Sequence, residues 1–157
     1  MRDALPALPE FEASFSAISE QLQGAIGHRL LTASRVGADG FNERIYSSQA
    51  SMYPVQGRKP RDQTEWTAMM ERGECFVANH PDEFGPHFFD LQAIVAQGFG
   101  AVVNVPILDG ARLLGTLNLL DREGAYRGPV LDACLAVREQ ARQAFLQYDE
   151  WVARRSA

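Results

Sequence analysis

The sequence predicts one α+β domain, in which an antiparallel β-sheet carries the terminal helices on one face and the middle helices on the other. Three observations favour this fold class. Apolar residues recur at helical spacing near both ends of the chain. β-rich segments flank the dipeptides Asp39-Gly40 and Asp109-Gly110, which favour tight hairpin turns. The length of 157 residues suits one domain, so we expect residues 1–157 to form a single unit with a core of about 10–152.

The first helix and the first hairpin are predicted at the N-terminal end. A short strand at residues 30–36 and a return strand at residues 42–48 flank the first Asp-Gly turn, which is typical of a β-hairpin. The preceding helix is indicated by apolar residues three or four positions apart, namely Phe11, Phe15, Ile18, Leu22 and Ile26.

The middle of the chain predicts a loop, two helices and a short strand. Residues 51–63 contain prolines and a glycine among polar residues, which is typical of a loop. Asp62 or Thr64 can cap the short helix that follows. A strand is predicted at residues 75–78, and a second helical pattern covers residues 84–98.

The clearest signal is the long hairpin over residues 100–120. Because side chains alternate between the faces of a strand, one face of this hairpin is purely apolar and suits the terminal helices. The other face mixes Asn104, Thr116 and Asn118 with apolar neighbours. The last helix, predicted over residues 129–152, has an apolar face wide enough for a partner helix as well as the sheet.

The mixed face of the sheet is the candidate site. Its polar groups need hydrogen-bond partners, and two interpretations stay open: they bond to backbone, buried water and one another, or they orient a ligand in a pocket. Aromatic residues of the middle segment can supply the pocket walls or pack in the core, and His80 can bind a ligand or be solvated. The candidate ligand-binding residues are Thr32, Ser34, Tyr46, Tyr53, Trp66, His80, Phe84, Phe88, Asn104, Thr116 and Asn118.

Composition and motifs disfavour several classes of protein. The net charge is −5, and the basic cluster of Arg58, Lys59 and Arg61 is too short to follow a phosphate backbone, so we expect no nucleic-acid partner. No apolar run reaches the length of a membrane span or a signal peptide, so we expect no membrane association and a cytoplasmic location. His80 and His87 match no compact metal motif, and no cofactor-binding motif occurs, so neither a metal nor a cofactor is expected.

The two cysteines are far apart in sequence. Cys75 and Cys134 are interpreted as buried thiols in a reducing compartment, and their separation argues against two-thiol chemistry. A reductase that works through Cys75 is kept as an alternative.

The long hairpin also resembles a known family. Its sequence VVNVPILDGARLLGTLNLLD is similar to the signature hairpin of GAF domains, and RIYSS and YPVQGRKP resemble small stand-alone bacterial members. The resemblance covers nearly the whole chain and implies a PAS/profilin-like fold, with a ligand pocket between the sheet and the middle helices. The positions that match the hairpin signature are Val105, Pro106, Ile107, Asp109, Gly110, Gly115, Leu117 and Leu119.

The resemblance implies a small-molecule-binding sensor or regulatory module that is not an enzyme, with a ligand that the sequence does not name. A covalent bilin is not expected, because Cys75 is followed by Phe76 and not by histidine. One alternative is a redox enzyme similar to the free-methionine-sulfoxide reductases of this fold. Another is a protein-interaction module with a vestigial pocket. We expect no second domain, so signalling is expected to pass through a partner protein or through a homodimer joined by the first and last helices.

Overall fold

The computed structural model describes residues 9–55, 57–61, 63–85 and 91–156. Within these residues the helices are α1 (Glu10–Ala25), α2 (Glu65–Glu71), α3 (Leu91–Ala96), α4 (Leu131–Ala136) and α5 (Arg138–Ser156), with a 3₁₀ turn at Pro81–Glu83. The strands are β1 (Leu30–Val36), β2 (Phe41–Ser47), β3 (Arg58–Pro60), β4 (Phe76–Ala78), β5 (Ala101–Asp109) and β6 (Arg112–Asp121). In the described segments, none of the helices combines the length and the apolar character needed to cross a membrane.

The strands form one antiparallel sheet in the order β3-β2-β1-β6-β5-β4. Its centre is the hairpin of β5 and β6, and β6 also pairs with β1. The predicted α+β class and the antiparallel sheet are confirmed. Because β1 lies beside β6, the first hairpin and the long hairpin form one continuous sheet surface.

The terminal helices cover one face of the sheet, as predicted. α1 packs along α5, and the Phe15 ring meets the Phe145 ring edge-on with centroids 5.1 Å apart. Both rings are fully buried with the inward residues of the long hairpin, including Val103 and Leu117. This is the main hydrophobic core, and burial of its apolar area is the dominant stabilising contribution.

A smaller core lies on the other face of the sheet. It joins Phe84 and Ile94 of the middle segment to Leu30, Val102 and Leu120 of the strands. α2 also lies against this side, over β5 and β6. The middle helices therefore cover only part of this face.

Two β-bulges interrupt the alternation of the strands. The register of β1 and β2 shifts between Ala33 and Ser34, and Ile45 and Tyr46 both contact the main core although they are consecutive. The register of β5 and β6 shifts between Ile107 and Leu108. Past a bulge the side chains continue with the opposite alternation, so each bulge resets which residues face the terminal helices.

Gly115 follows the second bulge and lets Phe145 approach the sheet. A Cβ on Gly115 would lie 2.3 Å from the backbone oxygen of Ser34 and 2.5 Å from the Phe145 ring. Both distances are shorter than van der Waals contact. Leu114, which the alternation placed with Thr116, joins the main core on the helix side instead, because it is the extra, unpaired residue of this bulge.

Two element predictions differ from the structure, and a third, the cap of α2, is resolved between its two candidates. The predicted loop at 51–63 contains β3, which pairs with β2 at the edge of the sheet. The predicted C-terminal helix is interrupted at Val137, where the backbone leaves helical geometry between α4 and α5. Thr64 is the cap of α2, with its side-chain oxygen 3.4 Å from the Thr67 backbone nitrogen that donates to it, while Asp62 lies outside the described residues.

Candidate functional site

A cavity of about 370 Å³ opens on the sheet face away from α1 and α5. β5, β6 and β1 form its floor, and β2, β3, α2 and α3 contribute to its sides. This volume is near the lower end of the roughly 300–1,000 Å³ typical of small-molecule sites. The cavity is lined by Leu30, Thr32, Ser34, Asn42, Arg44, Tyr53, Gly57, Arg58, Lys59, Pro60, Trp66, Ile94, Val102, Asn104, Thr116, Asn118 and Leu120.

The floor carries a polar row that crosses three adjacent strands. Asn104 of β5 is paired with Asn118 of β6, and Asn118 is paired with Thr32 of β1. Asn104 Nδ2 donates to Asn118 Oδ1 at 2.8 Å, and Asn118 Nδ2 donates to Thr32 Oγ1 at 3.2 Å. The same Asn118 nitrogen donates to Ser34 Oγ at 3.4 Å. The row is therefore one continuous chain of hydrogen bonds.

Trp66 of α2 fixes the direction of this chain. Its indole Nε1–H donates to Asn104 Oδ1 at 2.9 Å. Because an indole can only donate, the Asn104 atom that it meets is the oxygen, and each amide must then donate toward β1. The hydroxyls of Thr32 and Ser34 accept the last hydrogen bonds of this row, so each keeps an O–H that can donate to a ligand.

An apolar row borders the polar row. Val102 of β5 is paired with Leu120 of β6, and Leu120 is paired with Leu30 of β1. Ile94 of α3 packs on the same cluster. One end of the cavity therefore offers aliphatic surface, and burying the apolar part of a ligand there is favourable by about 25 cal/mol per Å².

The opposite end of the cavity is basic. Arg44 of β2 lines it together with Arg58 and Lys59 of β3. The Arg44 guanidinium lies 5.3 Å from the centroid of the Tyr53 ring, and its Nη1 donates to the Pro54 carbonyl at 3.0 Å. These contacts orient a cation toward the cavity.

Arg58 and Asn42 complete the basic end in different ways. The Arg58 guanidinium is ion-paired with Asp39 at 2.5 Å and lies over the Phe41 ring. Asn42 also lines the cavity, and its Oδ1 is buried with no hydrogen-bond partner among the described residues. A buried acceptor without a partner carries a desolvation cost that a donor on a ligand would relieve.

Most of the predicted ligand-binding residues surround this cavity. Their role in binding a ligand stays a prediction, but the structure brings them together from β1, β5, β6, α2 and the segment after β2. They are Thr32, Ser34, Tyr53, Trp66, Asn104, Thr116 and Asn118.

The other predicted site residues lie elsewhere. Tyr46 is on the opposite face of the sheet, stacked on Phe15 with ring centroids 5.7 Å apart, because the first bulge reverses its alternation. Phe84 is buried in the smaller core and does not line the cavity. His80 is half-exposed on the turn after β4, where its Nδ1 accepts from the Asp82 backbone N–H at 3.1 Å. Phe88 lies outside the described residues.

The turn around His80 shows no metal centre within the described residues, where no three His, Cys, Asp or Glu side chains gather as ligands. His80 Nδ1 lies 3.5 Å from Asp82 Oδ2, and His80 Nε2 lies 3.7 Å from Glu123 Oε1. His87, the other histidine considered for a metal, lies outside the described residues.

Sequence reasoning missed the basic end of the cavity. Arg58 and Lys59 fell in the segment taken as a loop, and their pairing with β2 has no period-2 pattern to predict it. Asn42 and Arg44 were placed on the return strand, and their alternation was a usable signal that they share a face.

The two cysteines are closer in space than their sequence positions suggest. Both pack against the main core, and burial raises the pKa of Cys134 to about 12, with a smaller contribution from Coulomb repulsion by Cys75. Burial also raises the pKa of Cys75, opposed by the charge of Arg138. The two thiols therefore interact electrostatically in spite of their separation in sequence. Since the thiolate is the reactive form, the raised pKa values keep both groups protonated and unreactive at neutral pH.

The fold is similar to several solved structures, although the sequence matches no protein-family model and no curated protein. One is a domain described as part of a two-component sensor histidine kinase from Sinorhizobium meliloti 1021, at 20% identity and a TM-score of 0.66, covering 98% of this chain and 100% of that one. Another is a GAF domain/HD domain protein from Geobacter sulfurreducens, at 12% identity and a TM-score of 0.66, covering 94% and 97%.

A third is the domain GAF3 of a Synechocystis sp. PCC6803 protein in its photoproduct state, at 16% identity and a TM-score of 0.63, covering 94% of this chain and 100% of that one. Together these likenesses define the class of fold as an antiparallel α+β sheet covered by helices. The chain has the fold of a GAF domain, which confirms the resemblance seen in the long hairpin.

Proposed function

We propose that this chain is a small-molecule-binding sensor module of the GAF type. The observation that carries the proposal is the cavity, whose floor is a directed hydrogen-bond chain from Trp66 to Thr32 and Ser34. Such a floor suits recognition, because a few fixed polar groups in an otherwise apolar wall orient a ligand. Two of the proteins of similar fold, a domain of a sensor histidine kinase and a GAF domain in its photoproduct state, are in keeping with a sensor.

The cavity has the chemistry of a binding site rather than of a catalytic one. Its described lining consists of amides, hydroxyls, aromatic and aliphatic groups and three cations. Amides do not titrate, and guanidinium, ammonium and hydroxyl groups ordinarily titrate far from neutral pH, whereas general acid–base catalysis favours a group with a pKa near the working pH. We therefore propose that the module acts without catalysis.

Ligand binding is tested by differential scanning fluorimetry of the chain against a library of small metabolites, with native mass spectrometry of protein purified from cells. The matched control is Ser34→Phe, which places a ring in the cavity from its floor. We expect to find compounds that raise the Tm of the unmodified chain and leave the Tm of Ser34→Phe unchanged. Equal shifts in both proteins would show that the cavity is not the site. No binding by either method would favour the alternative of a vestigial pocket.

The redox alternative has a specific test. A reductase requires a reactive thiolate, but burial raises the pKa of Cys75. We expect no turnover of free methionine sulfoxide by the reduced protein. Robust turnover that disappears in Cys75→Ser, while circular dichroism shows a folded chain, would make the enzyme interpretation correct.

We propose further that the chain forms a homodimer through its first helix and the C-terminal pair α4 and α5, the segment that the sequence predicts as one last helix. Part of the apolar flank is already covered within the chain, since the Phe11 ring lies 5.0 Å from Tyr148 and 5.2 Å from Trp151. Leu131 and Leu135 of α4 stay 39% and 44% exposed. Exposed leucines on one short helix favour burial against a second copy.

Sedimentation at micromolar concentration tests the dimer. We expect a species of about twice the 17.4 kDa mass of the chain, which dissociates in a Leu131→Glu, Leu135→Glu variant. The control is Val95→Glu, an exposed apolar residue on α3 rather than on the terminal helices. A monomer at every concentration would refute the dimer and leave the binding function to act through a partner protein.

A further inference from the structure

We propose that the ligand is an organic anion with an apolar body, held by Arg44 at its charged end. This inference rests on the proposed binding function and adds the chemical class of the ligand. Along the strands the lining passes from the aliphatic row of Val102, Leu120 and Leu30, through the amide row, to Ser34 and its partner Arg44 on β2. A ligand that matches this order has its apolar part and its negative charge at opposite ends.

The charge of the cavity is opposite to that of the chain. The chain has a net charge of −5, yet the described lining of the cavity contains Arg44, Arg58 and Lys59 and neither aspartate nor glutamate. A concentration of one sign of charge in a concave surface attracts ligands of the other sign. Neutral ligands would gain nothing from this arrangement.

Arg44 is the cation best placed to hold the anion. Arg58 already has a carboxylate partner in Asp39. Within the described residues Arg44 is ion-paired with no carboxylate, and its recorded side-chain contacts are the Pro54 carbonyl and the Tyr53 ring. A guanidinium has five N–H donors in a rigid plane, so most of them stay available for bidentate binding of a carboxylate, sulfonate or phosphate.

The backbone next to Arg44 is shaped around its guanidinium. A Cβ on Gly57 would lie 2.9 Å from Arg44 Nη1, and the Arg44 backbone N–H donates to the Gly57 carbonyl at 2.9 Å. A residue with a side chain at position 57 would push the guanidinium out of its place. Asn42 Oδ1, the buried acceptor without a described partner, lies at the same end and favours a ligand with a hydroxyl or N–H near its charged group.

Two dyes with the same aromatic skeleton test the role of charge. 8-Anilinonaphthalene-1-sulfonate is anionic, and N-phenyl-1-naphthylamine is its neutral parent without the sulfonate. We expect the unmodified chain to bind the anionic dye more tightly. Arg44→Gln should lower the affinity for the anionic dye by at least about tenfold, the loss expected for one hydrogen bond to a charged group. The affinity for the neutral dye should stay unchanged.

Further variants separate the contact from a general change in structure or charge. Gly57→Ala keeps the Arg44 charge but displaces the guanidinium. This variant should therefore also lower the affinity for the anionic dye and not that for the neutral dye. Arg58→Gln should have a smaller effect because Asp39 already neutralises Arg58. Arg112→Gln, at the exposed turn of the long hairpin, removes the same charge away from the cavity and should have no effect.

The results distinguish this inference from the proposed function. If Ser34→Phe abolishes binding of the neutral dye, but Arg44→Gln leaves the anionic dye unaffected or weakens both dyes equally, the cavity binds ligands and the anion inference is wrong. If neither dye binds, or if both bind Ser34→Phe as well as the unmodified chain, the proposed function fails and this inference fails with it. Selective loss of the anionic dye in Arg44→Gln and Gly57→Ala supports both.

Discussion

The hydrogen bond between Trp66 and Asn104 is the contact through which α2 is tied to the floor of the cavity, and a double-mutant cycle can measure it. Trp66→Phe removes the indole N–H and keeps an aromatic ring. It leaves Asn104 Oδ1 without its donor, and Asn104 as a residue is only 2% exposed, so water cannot readily replace the bond. An unsatisfied buried acceptor costs about 1–3 kcal/mol, and we expect the free energy of unfolding to fall by that amount.

Asn104→Leu removes the other partner. It leaves the Trp66 N–H and Asn118 Oδ1 without their partner, so it should also cost about 1–3 kcal/mol. The double variant has no indole N–H left to satisfy. Its destabilisation should therefore be smaller than the sum of the two single values, by about 0.5–3 kcal/mol.

The measurement is urea unfolding followed by circular dichroism, with unchanged m-values as the sign that the unfolded state is unaffected. The matched control is Trp151→Phe, since the Trp151 ring packs on Phe11 and has no recorded indole hydrogen bond in the described part of the chain. That variant should show no coupling to Asn104→Leu. The reasoning would be refuted if the Trp66 and Asn104 effects added within about 0.5 kcal/mol, as distant sites do.

Three further predictions concern stability. Gly115→Ala should lower the free energy of unfolding by at least roughly 1–3 kcal/mol through overpacking, because the new Cβ meets backbone. Gly24→Ala, in open space on α1, should instead stabilise the chain by about 0.5–1 kcal/mol, and equal thermal shifts for the two variants would contradict this. The free energy of unfolding should fall as the pH rises from about 9 to about 12, since the folded chain retains the Cys134 proton that the unfolded chain releases; Cys134→Ala should flatten this part of a urea-unfolding pH series. Thr64→Ala should cost about 1 kcal/mol through loss of the α2 cap, and an unchanged Tm would show that the 3.4 Å contact contributes little.

Much of the fold could be predicted from periodicity. The long hairpin combines strict alternation with an Asp-Gly turn, and the pairing of Asn104 with Asn118 follows the alternation that the sequence displays. The apolar spacing of the first helix predicted its buried face, where Phe11 and Phe15 pack. Long patterns with one buried face leave little freedom of register, so these elements are predictable.

The remaining features depend on pairing between distant residues. β3 has three exposed residues and forms because β2 offers a free edge, which no local pattern records. The first bulge sent Tyr46 to the helix side, where it stacks on Phe15, and so removed it from the predicted site. Arg58 and Lys59 reach the cavity through the pairing of β3, which explains why the polar floor was predictable and this part of the charged rim was not.

The first bulge also bears on how this site could change during evolution. Substitutions at Arg44 can alter its charge, but they leave the side of the sheet on which position 44 lies unchanged. Deletion of Ile45, the extra residue of the bulge, would restore simple alternation across Ser34 and Ala33. Arg44 would still lie opposite Ser34 and Tyr46 opposite Ala33, so the cationic rim would stay on the cavity side and Tyr46 on the helix side. The bulge thus gives this strand a position at which one codon can be lost while the charge of the rim is kept, so that only substitutions at Arg44 itself, or deletions elsewhere in β2, change what the cavity presents.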